Sequence, residues 1–93
     1  MNKTITIEDH LLDTILQKTH SLILHNDSHN NMEDIANNLI EICHHTPEQA
    51  EQVMIIAHSK GCAEAKRGEY DDLALMQEKF SSRHITTTIE END

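Results

Sequence analysis

Three consecutive large apolar residues, Leu22-Ile23-Leu24, are followed at once by a run, His25 to Asn31, without a single apolar side chain. A half-buried strand would alternate polar and apolar residues, so the unbroken triplet reads as a short strand buried on both faces. Asn, Asp and Ser side chains bond readily to their own backbone, so the chain turns between Asn26 and Asn31 before Met32 opens a new apolar period. A core strand thus delivers a polar corner to the surface. Further along, His58-Ser59-Lys60-Gly61 closes a helical pattern, and if that helix packs on the strand its terminal histidine reaches the same corner. That meeting is where a functional site is expected.

The remaining elements follow from periodicity. Met32, Ile35, Ala36, Leu39, Ile42 and Cys43 fall on one stripe of an amphipathic helix, capped by Asn30 or Asn31 and ending at His44 and His45, whose protonated rings would complement the helix dipole. Thr46-Pro47-Glu48-Gln49 joins an N-cap hydroxyl, Pro at the first helical position and Gln three residues after the cap, which predicts a second helix from Pro47 to about Ser59. Its buried stripe is Ala50, Val53, Met54 and Ala57, widened by Ile55 and Ile56, and Gly61 is placed to end it in the left-handed conformation. Cys62 to Arg67 sets Ala63 and Ala65 against Glu64 and Lys66, a half-exposed strand. Tyr70, Leu73, Met76 and Phe80 give a third helix, and His84 to Glu90 a strand with Ile85, Thr87 and Ile89 on one face. The predicted fold is α+β, in the order β-α-α-β-α-β: a three-stranded antiparallel sheet covered on one face by three helices. Residues 20–93 form this core domain. Residues 1–19 carry Ile5, Ile7, Leu11, Leu12, Ile15 and Leu16 among polar residues and are expected to be a flexible or partly helical extension.

Charge narrows the partners. With 17 acidic residues against 7 basic ones, formally -10, the chain lacks the clustered Lys and Arg that phosphate binding needs, so nucleic acid is excluded and basic or cationic partners are favoured. Two cysteines, Cys43 and Cys62, make no disulfide framework and suggest a reducing compartment. Without an apolar run of ~18 residues or a signal-peptide pattern, the chain reads as cytoplasmic, with no membrane partner. Cys43-His44-His45 with His25 and His29 matches no zinc spacing, and no Gly-rich oxyanion loop accompanies either cysteine, so neither metal, cofactor nor hydrolase chemistry is expected.

Leu24-His25-Asn26-Asp27, the helix opening at Met32, the run His45-Thr46-Pro47-Glu48-Gln49-Ala50-Glu51-Gln52, and His58-x-x-Gly61 with Gly68 beyond, in that order and spacing, resemble the ClpS family over His20 to Glu90. These are adaptors that hand proteins with destabilising N-terminal residues to a Clp AAA+ unfoldase of the ClpA or ClpC type. The resemblance implies a non-catalytic module that recognises a free α-amino group beside a bulky apolar first residue: Leu, Phe, Tyr or Trp. It implies that Asn26 and His58 hold the ammonium with the acidic positions after the Asn, here Asp27 and Ser28, and that Asn30, Met32, Ile35, Met54 and Ala57 surround the side-chain pocket. The chain departs from the family at Ser28, where a second carboxylate is usual, at Asn31, where Pro or Thr is usual, and at Ala57, where Val is common.

The chemistry fits independently. An ammonium is a small cation with three donors, matched by the Asn26 amide oxygen, a neutral His58 nitrogen and the charge of Asp27. Taken singly, the same residues have plainer readings: Asn26-Asp27 a turn, His58 a helix-end histidine, Met32 and Met54 core. The alternative function is an interaction domain of the same fold, like the ribosomal stalk C-terminal domain, that docks by its acidic faces with the amine site lost or altered.

Overall fold

In the computed structural model, which describes residues 20–92, the elements are β1 (His20–His25), α1 (Met32–Cys43), α2 (Pro47–Lys60), β2 (Cys62–Gly68), α3 (Tyr70–Ser82) and β3 (Thr87–Glu91). The expected order β-α-α-β-α-β is the observed one. The three strands form one antiparallel sheet with β1 in the middle, in the order β2-β1-β3, and Leu24 stands opposite Ala63 on one side and Thr87 on the other. The expectation for residues 1–19 lies outside the described residues.

Burial follows strand alternation. Leu22, Leu24, Ala63, Ala65 and Thr87 point into the core, while Glu64 and Thr88 lie on the open face. Ile23, paired with Glu64 and Thr88, is on that open face and only half-buried, which corrects the reading of β1 as buried on both sides. A central strand has its backbone covered by two neighbours, but among the described residues helices pack on one face only. The largest fully buried side chains are Phe80, Leu22, Leu24, Leu39, Leu73, Ile85 and Cys43, so a single aromatic ring fills the middle of the core.

The helices start and stop where local chemistry dictates. Asn31 caps α1, its side-chain oxygen accepting from the Asp34 N–H at 2.8 Å. Thr46 and Gln49 close a reciprocal capping box on α2 at 3.2 and 2.9 Å. Gly61 ends α2 with φ 92°, and its N–H bonds the Ala57 carbonyl at 2.9 Å. At the end of α1 the cation that meets the helix carbonyls is Lys66, whose Nζ donates to the Cys43 carbonyl at 3.1 Å, while His44 takes the left-handed C-cap (φ 61°).

Two further expectations, on Ile55 and Ile56 and on the start of the last strand, are corrected. Ile55 and Ile56 do not widen the buried face of α2; they are 46% and 41% exposed, because α2 settles on the sheet through small Ala50 and Ala57, with Val53 between them, and rotates its neighbours outward. Tyr70 is likewise exposed and meets the His20 ring edge-on, centroids 5.5 Å apart. The last strand begins at Thr87 rather than His84, since the chain first wraps the end of α3: the Ile85 N–H bonds the Phe80 carbonyl at 3.0 Å and His84 takes φ 61°. Ile85 and Thr87 still face the core as expected.

The two cysteines have opposite environments. Burial pushes the Cys43 thiol up to about 11, the nearby Lys66 opposing in part, whereas Cys62 is exposed. Thiolate is the nucleophile. A maleimide reagent at pH 7 is therefore expected to label Cys62 within minutes and to spare Cys43 until denaturant is added; labelling of both at similar rates would contradict the buried position of Cys43.

Candidate functional site

The polar corner is built by two backbone tethers. The His25 N–H bonds the Thr86 carbonyl at 3.1 Å, and the Asn26 N–H bonds the Gly61 carbonyl at 2.9 Å, so the end of β1 is pinned to the C-cap of α2. This second bond carries Asn26 to the helix end that bears His58. The glycine makes it possible, because its left-handed φ turns the carbonyl back toward the sheet.

Beyond Asn26 the loop folds around Asp27. Its Oδ1 accepts from the His29 N–H at 2.8 Å and the Asn30 N–H at 2.9 Å, an Asx turn closed on both sides. The Asn30 amide donates to Asp27 Oδ2 at 3.2 Å and to the His84 carbonyl at 2.9 Å, locking the loop to the segment after α3. The Asn30 backbone N–H is the main cause that holds the Asp27 carboxyl below its ordinary value; partial burial opposes it, and the His29 N–H and the Asn30 side chain add to the lowering. A depressed native pKa means that the loop's stabilisation is complete above the unfolded carboxylate pKa and is lost as pH falls through the native one. An NMR titration is accordingly expected to place the Asp27 midpoint below 3.8, with the His29 and Asn30 amides losing protection only in that acid range. A midpoint at or above the ordinary value would mean that the turn is not formed in solution.

Loop, α1 and α2 together enclose a cleft of ≈ 310 Å³, counted to its open mouth. Asn26, Asp27, Asn30 and His58 supply polar groups, and Met32, Ile35, Met54 and Ala57 supply apolar ones. Eight of the nine site residues expected from the sequence are therefore in one wall. Ser28 is not; it is exposed in the loop, outside the lining. Two residues of the Leu24-His25-Asn26-Asp27 motif that were not expected in the site, Leu24 and His25, also line the cleft. Leu24 could have been found, since it is the last inward-facing residue of the strand that ends at the corner. His25 bonds Thr88 Oγ1 through its ring at 2.8 Å, a cross-strand pairing that only the register reveals.

Among the described residues, no group of three or more His, Cys, Asp or Glu is placed to hold a metal ion, and no helix is long and apolar enough to cross a membrane.

A three-stranded sheet under three helices, with a half-polar, half-apolar cleft where the central strand ends, defines the class: small α+β sandwich domains with a cleft at one end of the central strand. The chain belongs to the ClpS family. The family model, ATP-dependent Clp protease adaptor protein ClpS, matches residues 16–88. Over 60 residues the chain is 35% identical to the ATP-dependent Clp protease adapter protein ClpS of Nitratidesulfovibrio vulgaris strain DP4, covering 64% of this chain and 55% of that one. With the same-named protein of strain Miyazaki F it shares 40% over 43 residues, 46% of this chain and 43% of the relative. The chain thus spans about half the length of the curated relatives it matches. Agrobacterium tumefaciens ClpS2, solved bound to L-phenylalaninamide, superposes with a TM-score of 0.76 at 20% identity over 82% of this chain and 99% of that one, which establishes a common fold.

Proposed function

We propose that the cleft binds the N-terminus of a cargo protein, a free α-amino group followed by a bulky apolar first side chain (Leu, Phe, Tyr or Trp), and that the domain delivers this cargo to a Clp AAA+ unfoldase of the ClpA or ClpC type in the cytoplasm, without catalysis of its own. The observation that carries the proposal is the convergence in one cleft of Asn26, Asp27 and His58 with an apolar wall from Met32, Ile35, Met54 and Ala57. An ammonium has three donors and no acceptor, so it is held by the Asn26 amide oxygen and a neutral His58 nitrogen, within the field of an Asp27 carboxylate that its loop keeps ionised. The side chain beside it lies against two methionines, whose unbranched, polarisable chains adapt to either an aliphatic or an aromatic guest. Burying such a side chain contributes about 1.5–3 kcal/mol and each charge-assisted bond about as much. Offset by the cost of association, terms of this size give binding weak enough to permit hand-over. L-phenylalaninamide, the ligand of the solved neighbour, has the same two features, a free amine and a benzyl side chain.

His58 tests the proposal. It is exposed in the last turn of α2 and supports no core packing, so His58→Ala is expected to leave the urea midpoint unchanged. Calorimetry with a Phe-initiated peptide should show binding weakened by about 1–3 kcal/mol, since one ammonium proton loses its acceptor. Unaltered affinity would remove His58 from the site.

A second reading, an interaction domain that docks by its acidic surface, draws support from one feature. Both oxygens of Asp27 are already engaged by the loop, and Ser28 lies outside the lining, so the negative charge acts on an ammonium through its field rather than by contact.

A further inference from the structure

β2 lies at one edge of the sheet, and its outer side is open. The Asn26 N–H reaches the Gly61 carbonyl, one residue beyond the pairing of His25 with Cys62, so that pair is of the non-hydrogen-bonded kind and Cys62 directs its own N–H and C=O away from β1. Alternation makes Glu64 the next to do so. Ala65 has no partner on β1; it is a bulge that shifts the alternation by one, and the next outward residue is Arg67. The Ala65 carbonyl accepts from the His45 ring. Among the described residues, nothing bonds the outward main-chain groups of Glu64 and Arg67. A groove of ≈ 780 Å³, counted to its open mouth, runs along this edge, with Gln49, Gln52 and Val53 of α2 as its other wall. It shares no residue with the amine cleft, to which α2 contributes Met54, Ala57 and His58.

We infer that this groove binds an extended, acidic segment of a partner protein, which adds to β2 as a further strand of the sheet. The backbone supplies the attachment. A strand laid along the edge exchanges N–H···O bonds with Glu64 and Arg67, whose main-chain groups have no other use. Its side chains alternate between two faces. Those turned toward α2 lie over half-buried Val53 and buried Ala65, a shallow seat for β-branched residues, and those turned to the open face meet Arg67. Charge selects acid. Lys66 and Arg67 line the groove against one carboxylate, Glu64, which is already engaged by the Arg67 guanidinium at 3.1 and 3.2 Å and by the Ser21 hydroxyl. No Lys or Arg lines the amine cleft, and the chain as a whole is formally -10, so a basic segment is drawn elsewhere on the surface while an acidic one finds its complement at this edge.

The test is amide NMR on the isotope-labelled full chain. The probe is a hexapeptide alternating Val and Glu, N-acetylated so that it offers no α-amine to the cleft. Saturable shifts are expected at the Glu64 and Arg67 amides and along Gln52 and Val53, with half-saturation at roughly 0.1–1 mM, and none at Asn26 or His58. A Val-Lys hexapeptide is expected to act on these amides at least about 10-fold more weakly, since its cations oppose Lys66 and Arg67. A fully N-methylated Val-Glu peptide, which cannot donate to the edge, should leave them unmoved. In Arg67→Glu, an exposed position with folding checked by circular dichroism, the Val-Glu response should weaken by about 10-fold and a Val-Lys response should appear. Shifts confined to other residues, or no shifts, overturn the site. Equal responses to Val-Glu and Val-Lys, or responses that Arg67→Glu leaves unchanged, overturn the acidic partner, and an equal response to the N-methylated peptide overturns strand addition. Movement of the same amides with protein concentration alone would mean that a second copy of the chain fills the edge, and would overturn the inference too.

Discussion

A peptide beginning with free phenylalanine is expected to bind with a micromolar Kd, and its N-acetylated twin at least about 100-fold more weakly. Acetylation removes the positive charge, leaves one donor in place of three, and adds a carbonyl oxygen that faces the acceptors of Asn26 and His58. Losing one charge-assisted bond and leaving another group poorly matched costs about 3 kcal/mol or more, which at ~1.4 kcal/mol per decade gives the stated factor. Asp27 increases the difference, since its loop holds it ionised and its attraction vanishes for a neutral amide. The added methyl and carbonyl must also fit a cleft of ≈ 310 Å³ that the phenyl ring already occupies in part. Calorimetry on the pair of peptides decides the matter. Equal affinities would shift the function to docking by the acidic surface.

Phe80→Ala is expected to lower stability by about 3–5 kcal/mol, the usual range for deleting a fully buried ring. In a domain this small, such a loss is a large share of the whole. Phe80 has no aromatic neighbour in the core to repack into the void, and Leu22, Leu24 and Leu73 are themselves completely buried. The damage also reaches the cleft. The Phe80 carbonyl accepts from the Arg83 and Ile85 N–H groups, both at 3.0 Å, and so fixes the turn that presents the His84 carbonyl to Asn30. Urea unfolding of the variant should show a much lower midpoint, with peptide binding reduced alongside it. His58→Ala differs in kind, because it weakens binding at unchanged stability. A Phe80→Ala midpoint shift worth less than about 1 kcal/mol would mean that the core closes over the gap, contrary to the packing described.

Local patterns carried much of the design. The Thr46-Pro47-Glu48-Gln49 start and the Gly61 stop of α2, the Met32 to Cys43 stripe and the cap by Asn31, one of the two asparagines expected there, are short-range features, set by capping hydrogen bonds or helical periodicity within a few residues, and they stand as read. The Leu24 to Asn31 corner and His58 were likewise readable as residue types that suit an ammonium, and the family pattern supplied their partners in advance. Misreadings occurred where one residue's fate depended on another element. Ile23, Ile55 and Ile56 are as apolar as their buried neighbours, and their exposure is set by how other elements pack: among the described residues the helices cover one face of the sheet, and α2 settles on it through Ala50 and Ala57. His84 has strand-like neighbours, yet the end of α3 holds it in a left-handed turn.

The sequence by itself determined the elements, their order and the chemical character of the corner, because periodicity, capping and turn formation act over a few residues. Tertiary structure decided that Asn26 and His58, 32 positions apart in the chain, share a wall, through the single backbone bond from Asn26 to Gly61. It also decided that Ser28 faces out and that Asp27 serves its own loop while keeping its charge. The direction of a loop side chain is set by hydrogen bonds to whatever the fold brings beside it, here the Asn30 amide and, behind it, the His84 carbonyl, and no local pattern encodes those partners.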